Sequence, residues 1–281
     1  MKKFFMFALA AVAMLSVSSC MNEKEMDLAP NQGKIENEGY GYISLNATTD
    51  EAVATRANSV TNINKWFAKV NQSGAYKWGA ADTYAPITDA LATTSLPAVS
   101  TTVEVANFAS EDDAYEVNPV AGSNPTQYYG TEYWTGSLTK TIVAGLTPTS
   151  FPIECGAPSN SKLTVSKTGF TGSALEVYIT SPRAVTFSGA NFNNGGVAYF
   201  PAGTVQLYIT YTFNNVPNKR WPAGENTHSV TLTAGYASFL NFTMNSNGTI
   251  SLTITTEGYT DEDEQSITFD AVTGNKVVGN S

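Results

Sequence analysis

The chain has 281 residues, 15 Lys and Arg against 24 Asp and Glu, a formal net charge of -9 and 42% hydrophobic residues. So acidic a chain repels a phosphate backbone, which excludes nucleic acid as a partner gathered by charge. With one histidine and two cysteines it lacks the ligands for a histidine-rich metal centre, and a serine triad would have to be built on His228 alone.

Residues 1–20 read MKKFFMFALAAVAMLSVSSC. Lys2 and Lys3 precede an apolar run, Phe4 to Val17, too short to span a bilayer, and small residues lead to Cys20. This is the pattern of an export signal over 1–19. The run from Leu15 to Cys20 resembles a bacterial lipobox, whose cysteine is diacylated and becomes the first mature residue; an ordinary signal peptide cut near Ser19 is the alternative. Acyl chains hold a protein firmly to a membrane, because each buried methylene contributes about 0.8 kcal/mol. Removing 1–19 leaves 262 residues and, with Lys2 and Lys3 gone, moves the charge from -9 to -11. If Cys20 carries lipid, Cys155 has no disulfide partner and reads as a small buried apolar residue.

Residues 20–39 are polar and charged without helical or strand period, a tether between lipid and fold. Glu23, Glu25 and Asp27 lie within seven residues of Cys20. That placement resembles the signal sending lipoproteins of Bacteroides-type bacteria to the outer face of the outer membrane; a merely soluble linker is the plainer reading.

From residue 40 onward the apolar period is two. Ile43, Leu45 and Ala47 alternate with polar residues, as do Val103 and Val105, then Leu175, Val177 and Ile179. The alternation is longest at Val205, Leu207, Ile209, Tyr211 and Phe213, and recurs at Val230, Leu232 and Ala234 and at Ile250, Leu252 and Ile254. These segments predict half-buried antiparallel strands, with threonine on the solvent side. Asn193 to Gly196, Pro201 to Gly203 and Asn245 to Gly248 supply turn residues between them. Only Ile87 to Thr93 hints at helix, which argues against an α/β fold. The two prolines in Gly145 to Pro152 close a strand pattern over 138–143, and a new set starts at Leu163 and Val165. The expected fold is therefore all-β, with two tandem β-sandwiches of transthyretin-like or immunoglobulin-like kind over 40–155 and 156–281.

Several segments in order carry a family likeness: the lipobox, Gly41 to Asn46, Ala54 to Ala57, Tyr128 to Gly130, Ile142 to Gly145, Ile153 to Cys155, Asn160 to Leu163, Phe200 to Gly203 and Ile267 to Gly274. Together they resemble the fimbrillin-like surface lipoproteins of Bacteroidota, including their domain-of-unknown-function branch. The resemblance implies surface display on the outer membrane and, in the better understood relatives, assembly into pili. It also singles out Arg56. In fimbrial relatives an arginine-specific protease removes the lipidated leader and first strand, and a neighbouring subunit fills the groove by strand addition. A cut between Arg56 and Ala57 would leave 225 residues; left uncut, Arg56 is a surface residue and the lipid anchor stays. The segment from Val272 to Ser281 reads either as a short donor strand or as a frayed end.

No constellation for catalysis is evident, and no cofactor or metal is expected. The acidic runs Glu111 to Asp113 and Asp261 to Glu264 lack the ligand spacing of a calcium loop and read as solvated loops, and His228 reads as an edge or loop residue. Sugar binding is the competing function: Tyr128, Tyr129, Tyr133, Trp134 and Trp221 have the flat rings that stack on a pyranose from a host or dietary glycan, although aromatics also fill cores. A structural or adhesive pilus component is the favoured reading, a monomeric glycan-binding lipoprotein the alternative, and an enzyme is disfavoured.

Overall fold

A computed structural model describes residues 39–49, 66–170, 175–189, 192, 196–257 and 265–277. These form an all-β fold of two hydrophobic cores, each between two layers of sheet. The first core is framed by β1 (Tyr40–Gly41), β2 (Ile43–Thr49), β3 (Phe67–Gln72), β4 (Ala75–Trp78), β5 (Ala85–Pro86), β6 (Leu96–Pro97), β7 (Ser100–Ala106), β8 (Thr135–Thr141) and β9 (Thr149–Cys155). Strands β4-β3-β7-β8 make one antiparallel sheet, with β5 also on β3. Facing it is the parallel pair β2-β9. Alternation explains the packing: Ala68, Val70, Val103 and Val105 from one layer meet Ile43, Phe151, Ile153 and Cys155 from the other.

The second core lies between two five-stranded sheets. One runs β13 (Val197–Phe200), β10 (Ser161–Thr168), β17 (Ala237–Met244), β18 (Thr249–Glu257), β19 (Gln265–Asp270). The other runs β12 (Val185–Phe187), β11 (Leu175–Ser181), β14 (Gly203–Phe213), β15 (Val216–Trp221), with β16 (His228–Leu232) also on β14. Val205, Leu207, Ile209 and Tyr211 bury one face of β14, and Ile250, Leu252 and Ile254 one face of β18, as their alternation requires.

Three features depart from the sequence reading. Pairings β2-β9 and β10-β17 are parallel rather than antiparallel. Each joins strands far apart in the chain, so local periodicity carries no trace of it. The strand at Val230 and Leu232 ends at Leu232, and Ala234 sits in the turn that follows. Finally, Glu111 to Asp113 open a one-turn helix, α2 (Glu111–Tyr115), which follows α1 (Asp89–Thr93). Ser110 caps α2: its Oγ accepts from the Asp113 N–H at 3.2 Å and donates to the Asp113 carboxylate at 2.8 Å. Three acidic residues in the first turn suit the positive end of the helix dipole.

Candidate functional site

The first core is completed by a segment that precedes Arg56. Strand β2 lies on β9 in parallel register from Ile43 opposite Thr149 to Thr49 opposite Cys155. Beside it the inward side chains of β9, Phe151, Ile153 and Cys155, are fully buried, and Ile43, Leu45 and Ala47 of β2 pack on the same cluster. Upstream, β1 pairs with β6, Tyr40 opposite Pro97 and Gly41 opposite Leu96. Gly41 passes so close to the next segment that a Cβ would sit 2.1 Å from the Val143 carbonyl oxygen, a position only glycine can take. Residues 40–49 are thus seated on strands that all lie on the carboxyl side of Arg56. The described chain stops at Thr49 and resumes at Trp66, so Arg56 and Ala57 lie outside the described residues, as do Cys20 and the run Asp261 to Glu264.

The aromatic residues singled out for glycan stacking are dispersed: Trp134 lies in the first core, Trp221 in the second, and Tyr133 in a small separate cluster with Ala106 and Ala114. Trp134 is 2% exposed in the first core, its indole N–H 3.4 Å from a Glu132 carboxylate oxygen. Trp221 is 5% exposed in the second, stacked on Phe269 at 4.5 Å and 9°. Tyr133 is buried as well. The expectation that these three rings offer a sugar-binding face is corrected: burial takes their faces out of solvent. Tyr128 and Tyr129 are partly exposed, but Tyr129 packs against the second core, 6.0 Å from the Phe187 ring.

His228 begins β16, half-buried against the Trp221 ring at 5.1 Å. Desolvation, aided by Lys276, holds its imidazole below the ordinary value and so favours the neutral form. Cys155 is fully buried, and burial pushes its thiol up to about 11. Among the described residues no group of three or more His, Cys, Asp or Glu is arranged to hold a metal, and no helix is long and apolar enough to cross a membrane.

Sequence reasoning missed the residue that ties residues 115–130 to the second core. Val120 of this segment is part of that core, and Gln127 Oε1 accepts from the Thr186 N–H at 2.8 Å. Arg183, just beyond β11, donates to the backbone carbonyls of Tyr115, Tyr128, Tyr129 and Tyr199 and lies over the rings of Tyr115 and Phe200. Gly130 makes room for it, with φ +77 and only 3.1 Å between a would-be Cβ and the guanidinium. Carbonyls rather than a carboxylate partner the cation, and desolvation lowers its pKa to about 10. Nothing in the sequence around Arg183 marks it, because its partners are main-chain atoms of distant residues. Arg183→Met should lower unfolding stability by about 3 kcal/mol in a urea titration, since each buried carbonyl left without a donor costs about 1–3 kcal/mol.

DUF4493, a domain of unknown function, matches residues 87–271 of the chain. No curated protein matches it. Among solved structures, a candidate cell adhesion protein of Bacteroides ovatus ATCC 8483 is 13% identical, with 80% of this chain and 99% of that chain covered and a TM-score of 0.38. A candidate cell adhesion protein of Bacteroides uniformis ATCC 8492 is 12% identical, covering 78% and 98%, with a TM-score of 0.42. A fimbrial assembly protein of Parabacteroides distasonis ATCC 8503 is 10% identical, covering 80% and 97%, with a TM-score of 0.35. At these scores the likeness is a loose one.

Proposed function

For a chain that belongs to the DUF4493 family, and whose first core is closed by strands lying upstream of Arg56, we propose the role of a surface lipoprotein of the pilus or adhesion type, assembled by strand exchange. The exported precursor starts at Cys20, diacylated and held at the outer membrane. Its two sandwiches divide near residue 155, with Val120 reaching across to the second core. A cut after Arg56 detaches lipid, tether, β1 and β2 together.

The observation that carries this reading is the seat of β2. Losing it strips the paired strand and the apolar contacts of Ile43, Leu45 and Ala47 from beside the fully buried Phe151, Ile153 and Cys155. Fully exposing side chains like Phe151 and Ile153 costs about 1.5–3 kcal/mol each. A groove so apolar, bordered by the unpaired backbone of β9, is refilled by another strand, and a neighbouring subunit supplies one by β-augmentation. The carboxyl end is a candidate donor: in the resting chain its start lies on β19, where the Val277 N–H donates to the Thr268 carbonyl at 2.8 Å.

Mass spectrometry of the protein taken from its native cell surface tests the proposal. The expected mature mass begins at Ala57 in high-molecular-weight polymers, and Arg56→Ala should leave a monomer still acylated at Cys20. Wild-type protein found whole and acylated in every fraction would overturn the cut and the exchange while leaving the lipoprotein.

A further inference from the structure

The tether enters the fold at Gly39, and the surface there carries the two most exposed large apolar side chains among the described residues, Leu146 and Val143. Four segments meet at this end. The Ala98 N–H donates to the Gly39 carbonyl at 2.7 Å, Gly145 N–H to the Tyr40 carbonyl at 2.9 Å and Ile142 N–H to the Val99 carbonyl at 3.1 Å. Gln72, at the β3-β4 turn, donates its side-chain amide to the Pro97 carbonyl at 2.9 Å. On them sit Leu146, 76% exposed, Val143, 65% exposed, and the exposed Tyr40, Tyr76 and Val99. The same segments carry the exposed Lys77 and Lys140. Val216 and Val272 are exposed elsewhere, but there the Asp270 carboxylate accepts from the Val272 N–H itself.

We propose that this end of the molecule is a lipid-docking face, with Tyr40, Val99, Val143 and Leu146 entering the headgroup region of the bilayer that holds Cys20, flanked by Lys77 and Lys140. The inference rests on acylation of Cys20 and not on the cut at Arg56. Chain length favours a bilayer over other occupants: Gly39 is nineteen residues beyond Cys20, so even full extension keeps it within about 65 Å of the acylated residue. Composition favours it too. Tyrosine prefers the membrane interface, and lysines lay their stems along it with the ammonium in water. The acyl chains at Cys20 already hold the chain to the bilayer, and the face adds a contact that orients the fold on it. A cut after Arg56 would then remove the lipid and Tyr40, while Val99, Val143 and Leu146 stay with the fold.

The test uses the acylated Arg56→Ala protein carrying Leu146→Cys, labelled there with an environment-sensitive fluorophore and placed in phosphatidylcholine vesicles with a minority of phosphatidylglycerol. Cys155 is buried and does not compete for the label. The expected result is a blue-shifted emission that doxyl lipids quench, neither change appearing for a label at Val216→Cys, and both lost on adding Val143→Glu. A label at 146 as water-exposed as that at 216, on protein whose mass shows the diacyl group, overturns the docking alone. A mass without acyl groups overturns the lipoprotein reading and the docking with it. A blue shift that needs no vesicles and grows with protein concentration assigns the face to a second copy instead.

Discussion

A chain that begins at Ala57 should react with iodoacetamide at Cys155 about a hundredfold faster at pH 8 than the intact chain does, both carrying Cys155 as the sole thiol through Cys20→Ser or truncation. In the intact protein burial pushes the Cys155 thiol up to about 11. The thiolate is the nucleophile, so its fraction at pH 8 falls about a hundredfold below that of a thiol near the ordinary value. Cys155 stands opposite Thr49, the last residue of β2. With β2 gone its sulfur meets water and reactivity rises. A synthetic peptide of residues 40–49 should restore protection, and should do so saturably, because it supplies the β9 pairing and the apolar contacts of Ile43, Leu45 and Ala47. Equal alkylation rates for the two chains would mean that the first core closes without β2, and the strand-exchange proposal would lose its groove.

Cys155 therefore serves as a built-in reporter of the seat of β2. The rate also separates two fates of the truncated chain. Refilling by a second copy predicts that protection returns as concentration rises, whereas a core that merely loosens predicts fast alkylation at every concentration. Size-exclusion chromatography of the same samples places polymers in the protected fraction under the first.

Which of these elements could be read from the sequence follows from how local their causes are. The alternation in Val205 to Phe213 and Ile250 to Ile254 was plain because each strand buries one face against one core. Phe151, Ile153 and Cys155 alternate just as regularly in β9, but Pro152 between them reads as a strand breaker. It is tolerated because β9 is paired on one side only, by β2, and an edge strand can carry a proline without losing a ladder bond. The capped turn at Ser110 was legible in principle, since Ser110 stands three residues before Asp113, yet an acidic run reads first as solvent-facing loop. The parallel partners and the clamp of Arg183 were not legible at all. Both depend on contacts between residues dozens of positions apart, and in the clamp the acceptors are backbone carbonyls that no side-chain pattern announces. For the site, the sequence pointed to a first strand upstream of Arg56, but not to the strand it covers or to the thiol beneath it.

Trp134→Ala and Trp221→Ala should each cost about 3–5 kcal/mol of stability in denaturant titrations, the usual range for emptying a buried tryptophan site. Both indoles fill interior space. Trp134 packs with Val103, Val105 and Phe151 in the first core, and Trp221 lies flat on Phe269 in the second. Were either ring a sugar platform, its removal would abolish carbohydrate binding and leave stability within about 0.5 kcal/mol, as surface substitutions do. The two variants also report on different cores, so their costs should add: no ring contact or hydrogen bond links the two indoles, and sites without shared partners combine within about 0.5 kcal/mol. A sub-additive double variant would show that the two sites are energetically coupled in spite of their separation.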